Sequence, residues 1–469
     1  MLKSKKYLML IGISGALLIL AVVGFLRISG AFWTAWDYQA LDLFYKEAIK
    51  RGYGPKSSSR VVYLAITNDT YRAFGKNSLD RAYLVKVNET LSELGPEGIA
   101  YDIIFARPDN PESDRLFEES IEALGNVYLP VAFPLVDEPG KFKWDGSYAH
   151  ERLQSLIGKK PVEKGRANPF HASRASLALL QADGFSKAAF NTGHISAPSD
   201  TDGIYRHFPM IIKLDKGYLP GLSLSMFLDY AQVSFDQVEI QWGKEIRIPA
   251  TKESFLDEDV VIPIDSRGRV YIPFSHFWEN EFPQGNDFMK MTAHTLLKYF
   301  DDEGLRGNLA EFYEGNFVYI ADPSHGASDI GQNPLENMVP LVSIHGALMN
   351  SLLTNTFYRE WSFSEMAMLI AVLGVILCLS SAFKGYRILY AMGFLVLLGL
   401  GALTWHQVLN FSLLPVVSVA GGSVFIFSGL VTGLNLMVSK ERTFIHKAFS
   451  KYLSPVLVKG LVERPDLLK

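Results

Sequence analysis

The chain has 469 residues, with 45 basic side chains against 49 acidic ones and a formal net charge of −4. That balance excludes the basic excess expected of a nucleic-acid-binding protein. The one cysteine, Cys378, lies inside an apolar run, so the polar middle holds no disulfide and depends on a packed core.

Lys3, Lys5 and Lys6 form a short basic start (1–6), followed by the uncharged run Tyr7–Leu26. This run is longer than the ~7–15-residue core of a secretory signal and no A-x-A step follows, so it reads as an uncleaved membrane anchor. Residues 27–360 are polar and, at about 330 residues, long enough for one large domain or two small ones. They open with a helix over Trp33–Ile49, whose Trp33, Trp36 and Tyr38 suit the membrane–water interface.

A strand at Val61–Ile66, a helix at Arg81–Leu94 and a strand at Gly98–Phe105 then predict a right-handed βαβ unit on a parallel sheet. Pro111–Leu124 and Asn126–Phe133 continue that pattern. Residues 134–170 show no sustained period and read as an excursion or lid. Beyond it the patterns predict a helix at Ala172–Ala182, a strand at Phe190–Ile195 and a tight turn at Asp200-Thr201-Asp202-Gly203. A helix at Leu222–Ala231 follows, then a hairpin of Val260–Ile264 with Arg269–Phe274. A short helix (Thr295–Phe300), a late strand (Asn316–Ala321) and a helix (Val342–Leu353) lead to the next apolar region.

Three uncharged runs close the chain: Met366–Phe383 (a span drawn at 362–383), Ile388–Trp405 and Phe411–Val438. At ~1.5 Å per residue, about 18 helical residues reach ~27 Å, close to the ~30 Å hydrocarbon core. With the anchor this makes four crossings. Lys384 and Arg387, and the tail with Lys440, Arg442, Lys447 and Lys451, then fall on the side of the N-terminal lysines. The positive-inside rule makes that side cytoplasmic, which leaves 27–360 extracytoplasmic and 439–469 as a cytoplasmic coupling helix. An amphipathic helix joined to a span pairs with its copy or lies on the membrane; pairing, hence a homodimer, is the expectation.

In Val61–Asp69, Gly98–Phe105, Asp200–Arg206 with Pro209, Phe317–Ile320 and Val339–Leu353 the sequence resembles the second type of CHASE domain, an extracytoplasmic sensory module of bacterial cyclases and kinases. The order of these motifs and the three following spans carry the resemblance. It departs where Ile66-Thr67 replaces the usual Ile-Asp. It departs again where Ser343-Ile344-His345-Gly346 stands in the family's Glu-x-His-Ala. Residues 447–458 resemble the connector that precedes the catalytic domain of class III adenylate and guanylate cyclases. The resemblance implies a transmembrane receptor of the bacterial inner membrane that controls such a cyclase. ATP and Mg would belong only to that output domain, and this chain, ending at Lys469, would hold no catalytic residue and no cofactor. A histidine, Ser/Thr or diguanylate output is the alternative, and a membrane-anchored envelope enzyme a further one.

The expected fold is an α/β sensory domain, a mostly parallel sheet with helices on both faces, joined to α-helical spans. Ligands bind such sheets beyond the carboxyl ends of the strands, which makes Asn68, Asp69, Asp322 and His325 candidate contacts for an unknown extracytoplasmic ligand; loop caps account for the same residues. Asp102 lies inside an apolar strand and needs a partner, with Arg81 as the candidate, or a ligand. Asp202, Gly203 and Arg206, with Arg81, read as structural. Asp200-x-Asp202-Gly203 lacks the twelfth-position Glu of a calcium loop, and no metal site is expected.

Overall fold

Six short strands, four of them apolar, form the centre of the larger of two units: β1 (Val61–Ala65), β2 (Gly98–Tyr101), β3 (Val127–Val131), β4 (Asn191–His194), β5 (Lys290–Thr292) and β6 (Phe317–Ala321). Their order in the sheet is β5-β1-β6-β2-β3-β4, and every neighbouring pair is parallel. The computed structural model describes residues 2–74, 81–138, 144, 146–172, 179–278, 290–324, 330–382 and 386–449. The larger unit comprises Tyr45–Glu360 and Leu409–Ser412; the other gathers Met1–Phe44, Trp361–Val408 and Leu413–Lys469.

A parallel strand buried on both faces is apolar at consecutive positions. Val62, Leu64, Ile99, Tyr101, Val127, Leu129, Val318 and Ile320 turn to one face, where they meet helices Arg81–Leu94, Pro111–Leu124, Ala293–Asp301 and Glu303–Tyr313. Tyr63 and Tyr319 turn to the other, beneath helices Leu222–Tyr230 and Val342–Thr354. The expected doubly covered parallel sheet is therefore present. The first βαβ unit is spread apart, however: β6, from late in the chain, inserts between β1 and β2.

Three local expectations change. The 134–170 excursion contains a helix, Tyr148–Gly158, capped by Ser147 and burying Ala149, Leu153 and Ile157, and a strand, Val162–Lys164. Of the helix expected over 172–182, residues 173–178 lie outside the described residues; Ala172 is in a strand, residues 179–182 are not helical, and a helix runs instead over Asp183–Ala188. The hairpin of Val260 with Arg269 does not form. Asp265 closes the tight turn by accepting from Arg269, but Val260–Pro263 pairs with Glu245–Ile248 and Arg269–Tyr271 with His207–Pro209. The turn chemistry is local; the pairing edges come from elsewhere in the chain.

Arg81 does not reach Asp102. Tyr101 points toward the Arg81–Leu94 helix and donates its hydroxyl to Asn88 Oδ1 at 2.6 Å. Alternation along the chain then turns Asp102 to the opposite face. The Arg81 guanidinium instead donates to the Asp114 carboxylate and the Arg107 carbonyl and lies 4.8 Å from the centre of the Phe185 ring. Asp114 also accepts the Asp109 N–H at 2.9 Å, so this pair joins the starts of two helices.

In the other unit, helices Leu2–Ile28, Phe363–Ser381, Tyr386–Leu409 and Val416–Phe449 pack through Val22, Ile370, Leu377, Val396, Ile426 and Leu430. Gly374 admits Ile19 and Ile426 where any Cβ would collide, the small-residue contact expected between membrane helices. Leu17, Leu20, Met368 and Phe394 remain exposed. By length and composition, Phe363–Ser381, Arg387–Leu409 and Val416–Phe444 are each able to cross a bilayer, and a fourth candidate is the bent pair Gly12–Ile28 and Phe32–Lys50. Asp37 accepts the Val417 and Ser418 N–H groups at 2.7 and 2.9 Å and so caps the last helix.

Asp114→Ala is expected to cost about 3 kcal/mol of unfolding free energy, because it leaves the Arg81 charge buried without its partner. In thermal or denaturant unfolding of the full chain, the double variant Arg81→Met/Asp114→Leu should recover part of that loss. An equal loss in the double variant would show that the ion pair is not its source.

Candidate functional site

The carboxyl ends of β1, β5 and β6 carry a polar group of side chains. Thr67 caps the short Asn68–Ala73 helix, placing Asn68 and Asp69 in its first turn, where both are exposed. Asp69 pairs with Arg72 at 2.9 Å across an exposed surface, an interaction of little energetic weight. Asp322, just past β6, accepts the hydroxyls of Tyr71 and Ser324 and the Ser324 N–H. Thr70 and Thr292 each place a hydroxyl 3.1 Å from His294 Nδ1. The strand ends thus bring Asp322, Tyr71 and Ser324 together and leave Asn68 and Asp69 on the surface. His325 lies outside the described residues.

Asp102 lies on the other face, under the Val342–Thr354 helix. Its side chain is 13 % exposed, and its Oδ1 is 3.9 Å from His345 Nε2. Ser223 donates to the His345 carbonyl at 2.8 Å and meets the Tyr319 hydroxyl at 2.9 Å. Burial pushes Asp102 up to about 7 and pulls His345 down to about 4. Burial, then His345, draws His194 down to about 3. Between about pH 4 and 7 this region is therefore a set of neutral polar groups rather than an ion pair.

Beside it, on the same face, a cleft opens between β1, the Val342–Thr354 helix and residues 274–278. Trp278 packs edge-on against Tyr63 with ring centres 5.0 Å apart. Gly346 is required where the Tyr63 hydroxyl crosses the helix: a Cβ there would lie 1.9 Å from it. Asn350 holds the rim by donating to the Lys56 carbonyl at 2.8 Å and accepting from the Ser58 N–H. Trp278 carries no motif in the sequence, and Ser343, which also lines the cleft, stands where the family pattern has Glu. The local signal that sequence reasoning passed over is the polar helix face Ser343-x-x-Gly346-x-x-x-Asn350.

The Asp200–Arg206 segment forms a buried charge network. Arg206, fully buried, donates from both terminal nitrogens to the two Asp202 oxygens at 2.9 Å, and its Nη1 also lies 3.3 Å from Asp200. Gly203 takes the positive φ (+85°) that the turn requires. His207 stands between Asp200 at 2.9 Å and Glu360 at 3.3 Å. Burial alone would lower the His207 pKa, but the Glu360 and Asp200 carboxylates push it up to about 9. Among the described residues no group of His, Cys, Asp and Glu is placed to hold a metal ion.

The Asp102 pKa gives a pH dependence with a definite sign. An unfolded Asp titrates near 3.9, so between about pH 4 and 7 the folded chain holds a proton that the unfolded chain has lost. The contribution of Asp102 to stability falls with rising pH across that window, opposite in sign to that of the buried His194, His276 and His345, whose pKa values are lowered. Asp102→Asn removes the effect: its melting temperature should exceed that of the wild type at pH 8, with the gap closing toward pH 4. An equal gap at both pH values would rule out ionisation of Asp102 as the cause.

No curated protein and no solved structure matches the chain. A family model described as the CHASE2 domain matches residues 17–381. The match covers most of the chain, including the six-stranded sheet, both helical faces and the first apolar helix that follows them. The chain belongs to the CHASE2 domain family of sensory modules.

Proposed function

We propose that the chain is a homodimeric transmembrane receptor of a bacterial inner membrane, with residues 27–360 outside and both ends in the cytoplasm. The observation that carries this reading is a CHASE2 match over residues 17–381 beside helices long and apolar enough to span a bilayer. The basic residues support the sidedness: Lys3, Lys5, Lys6, Lys384, Arg387, Lys440 and Arg442 collect on one side if the chain crosses four times.

The output is a class III adenylate or guanylate cyclase, supported by the likeness of residues 447–458 to the connector of that family. ATP and Mg serve that domain alone. An extracytoplasmic ligand acts by favouring one of two packings of the sensory domains, and it shifts the balance only by its difference in affinity between them. Coding sequence beyond Lys469 with the paired metal-binding aspartates of a cyclase would agree with this output. A histidine box or kinase glycine loop there would replace it.

Sidedness is tested in a Cys378→Ser background carrying either Glu119→Cys or Lys440→Cys, both at exposed positions. A membrane-impermeant maleimide should label the first in intact cells and the second only after permeabilisation. The reverse pattern would end the receptor reading.

A further inference from the structure

The first apolar helix and the one after it meet at a sharp corner: Gly12–Ile28 and Phe32–Lys50 are bent 88° from one another. Side chains bridge the corner. Ser29 donates its hydroxyl to the Phe25 carbonyl at 2.7 Å, and the Trp33 indole N–H donates to the same Ser29 oxygen at 3.0 Å. Membrane spans stand within about 40° of the bilayer normal, so a helix at right angles to one runs closer to the membrane plane. The charges agree. Asp37, Asp42, Lys46, Glu47 and Lys50 are too many for a second helix through the hydrocarbon core.

Two contacts fix the level of this second helix. Asp37 caps the last helix at its first turn, through the Val417 and Ser418 N–H groups. The Trp33 ring lies over Gly421, where a Cβ would come within 3.2 Å of it. At ~1.5 Å per residue, Gly421 is only about 7.5 Å beyond the start of that helix at Val416. The second helix is therefore held where the last span begins. Its outward side is apolar. Phe32, Trp36 and Leu43, at 62, 52 and 72 % exposed, fall within ~40° of arc at ~100° per residue, with exposed Gln39 beside them. Asp37 and Leu41, on the opposite side, are buried. The exposed arc of Gly30–Phe44 holds no charge, and it begins one turn after Ile28, an exposed apolar side chain of the preceding helix, as are Leu20 and Phe25.

We propose that Gly30–Phe44 lies along the outer surface of the bilayer and that the partner of its exposed face is lipid, with Phe32, Trp36 and Leu43 set between the headgroups and the upper acyl chains. Large aromatic rings are favoured at that depth. An uncharged apolar arc opposite a polar side is the pattern of an interfacial helix. The spacing of Phe32, Trp36, Gln39 and Leu43, by four, three and four residues, is also that of a helix pairing with a second copy. Lipid is the better fit, because the exposed side chains of the preceding span need it already and the arc follows them directly. The placement rests on the receptor reading, which supplies the bilayer and its outer side.

The test uses the full chain with Cys378→Ser, reconstituted in liposomes, with a fluorescent label on one introduced cysteine. The positions are Gln39→Cys in the arc, Thr34→Cys opposite it, Leu20→Cys in the span and Lys86→Cys in the larger unit, all exposed. Gln39→Cys leaves the three apolar side chains of the arc in place. Lipids brominated near the top of the acyl chains put a quencher at the depth of about 5–10 Å where interfacial helices sit. They should quench the Gln39 label at least half as strongly as the Leu20 label, the Thr34 label less than the Gln39 label, and the Lys86 label not at all. Weaker quenching at Gln39 would overturn the inference: a label that aqueous iodide then reaches faces water, and one that iodide misses faces a second copy. Equal quenching at Thr34 and Gln39 would overturn it as well. A Leu20 label untouched by brominated lipid removes the span, and the receptor reading with it. A quenched Leu20 label beside an unquenched Gln39 label removes the surface helix alone.

Discussion

The larger unit depends on a strand that arrives late. β6 lies in the middle of the parallel sheet, register-paired to β1 on one side and β2 on the other, although more than 200 residues separate it from either. Parallel neighbours cannot be joined by a tight hairpin, and the intervening chain supplies further strands of the same sheet, covering helices and the smaller sheets. The centre of the fold therefore closes only when residues 317–321 are in place. The same late segment supplies Tyr319 to one face and Val318 and Ile320 to the other, and leads on to the helix that carries Ser343, His345 and Asn350. Core and site are assembled by one stretch of chain.

Three groups of buried acids meet the cost of desolvation in different ways. Asp114 has Arg81 and a backbone N–H; Asp200 and Asp202 share Arg206, and Asp200 also bonds His207. These are closed arrangements, with opposite charge and hydrogen bonds satisfied together, and they behave as joints. Asp102 has only a histidine at 3.9 Å and responds by holding its proton. That difference separates the structural carboxylates from the one on the face where the cleft opens, and perturbed, under-partnered groups gather where function is found.

Much of this fold was legible in the sequence. Pro111–Leu124 announces itself through an Asn110 cap, a proline at its first position and a glycine after its end, and Arg81–Leu94 through its apolar spacing. The five apolar residues of Phe317–Ala321 read directly as a buried strand. What was not legible is pairing at a distance. The Asp265–Gly268 turn looks like a hairpin because its chemistry is that of a hairpin; which edges receive its two arms depends on Glu245–Ile248 and His207–Pro209. Arg81 and Asp102 looked like partners because strand parity, which separates them, gives no sign in charge or spacing. Asn68, Asp69 and Asp322 do follow strands, yet Asn68 and Asp69 face water. The cleft drew no notice because its serines and asparagines come from separate stretches and carry no titratable signature.

The solitary thiol has a consequence for the kind of message this chain receives. Cys378 sits in a membrane helix against Gly15, where no Cβ would fit beside its sulfur. Residues 45–360 contain no sulfhydryl at all. Oxidants therefore find nothing in that stretch to couple or exchange. A switch made by forming and breaking a disulfide therefore has no place in that stretch.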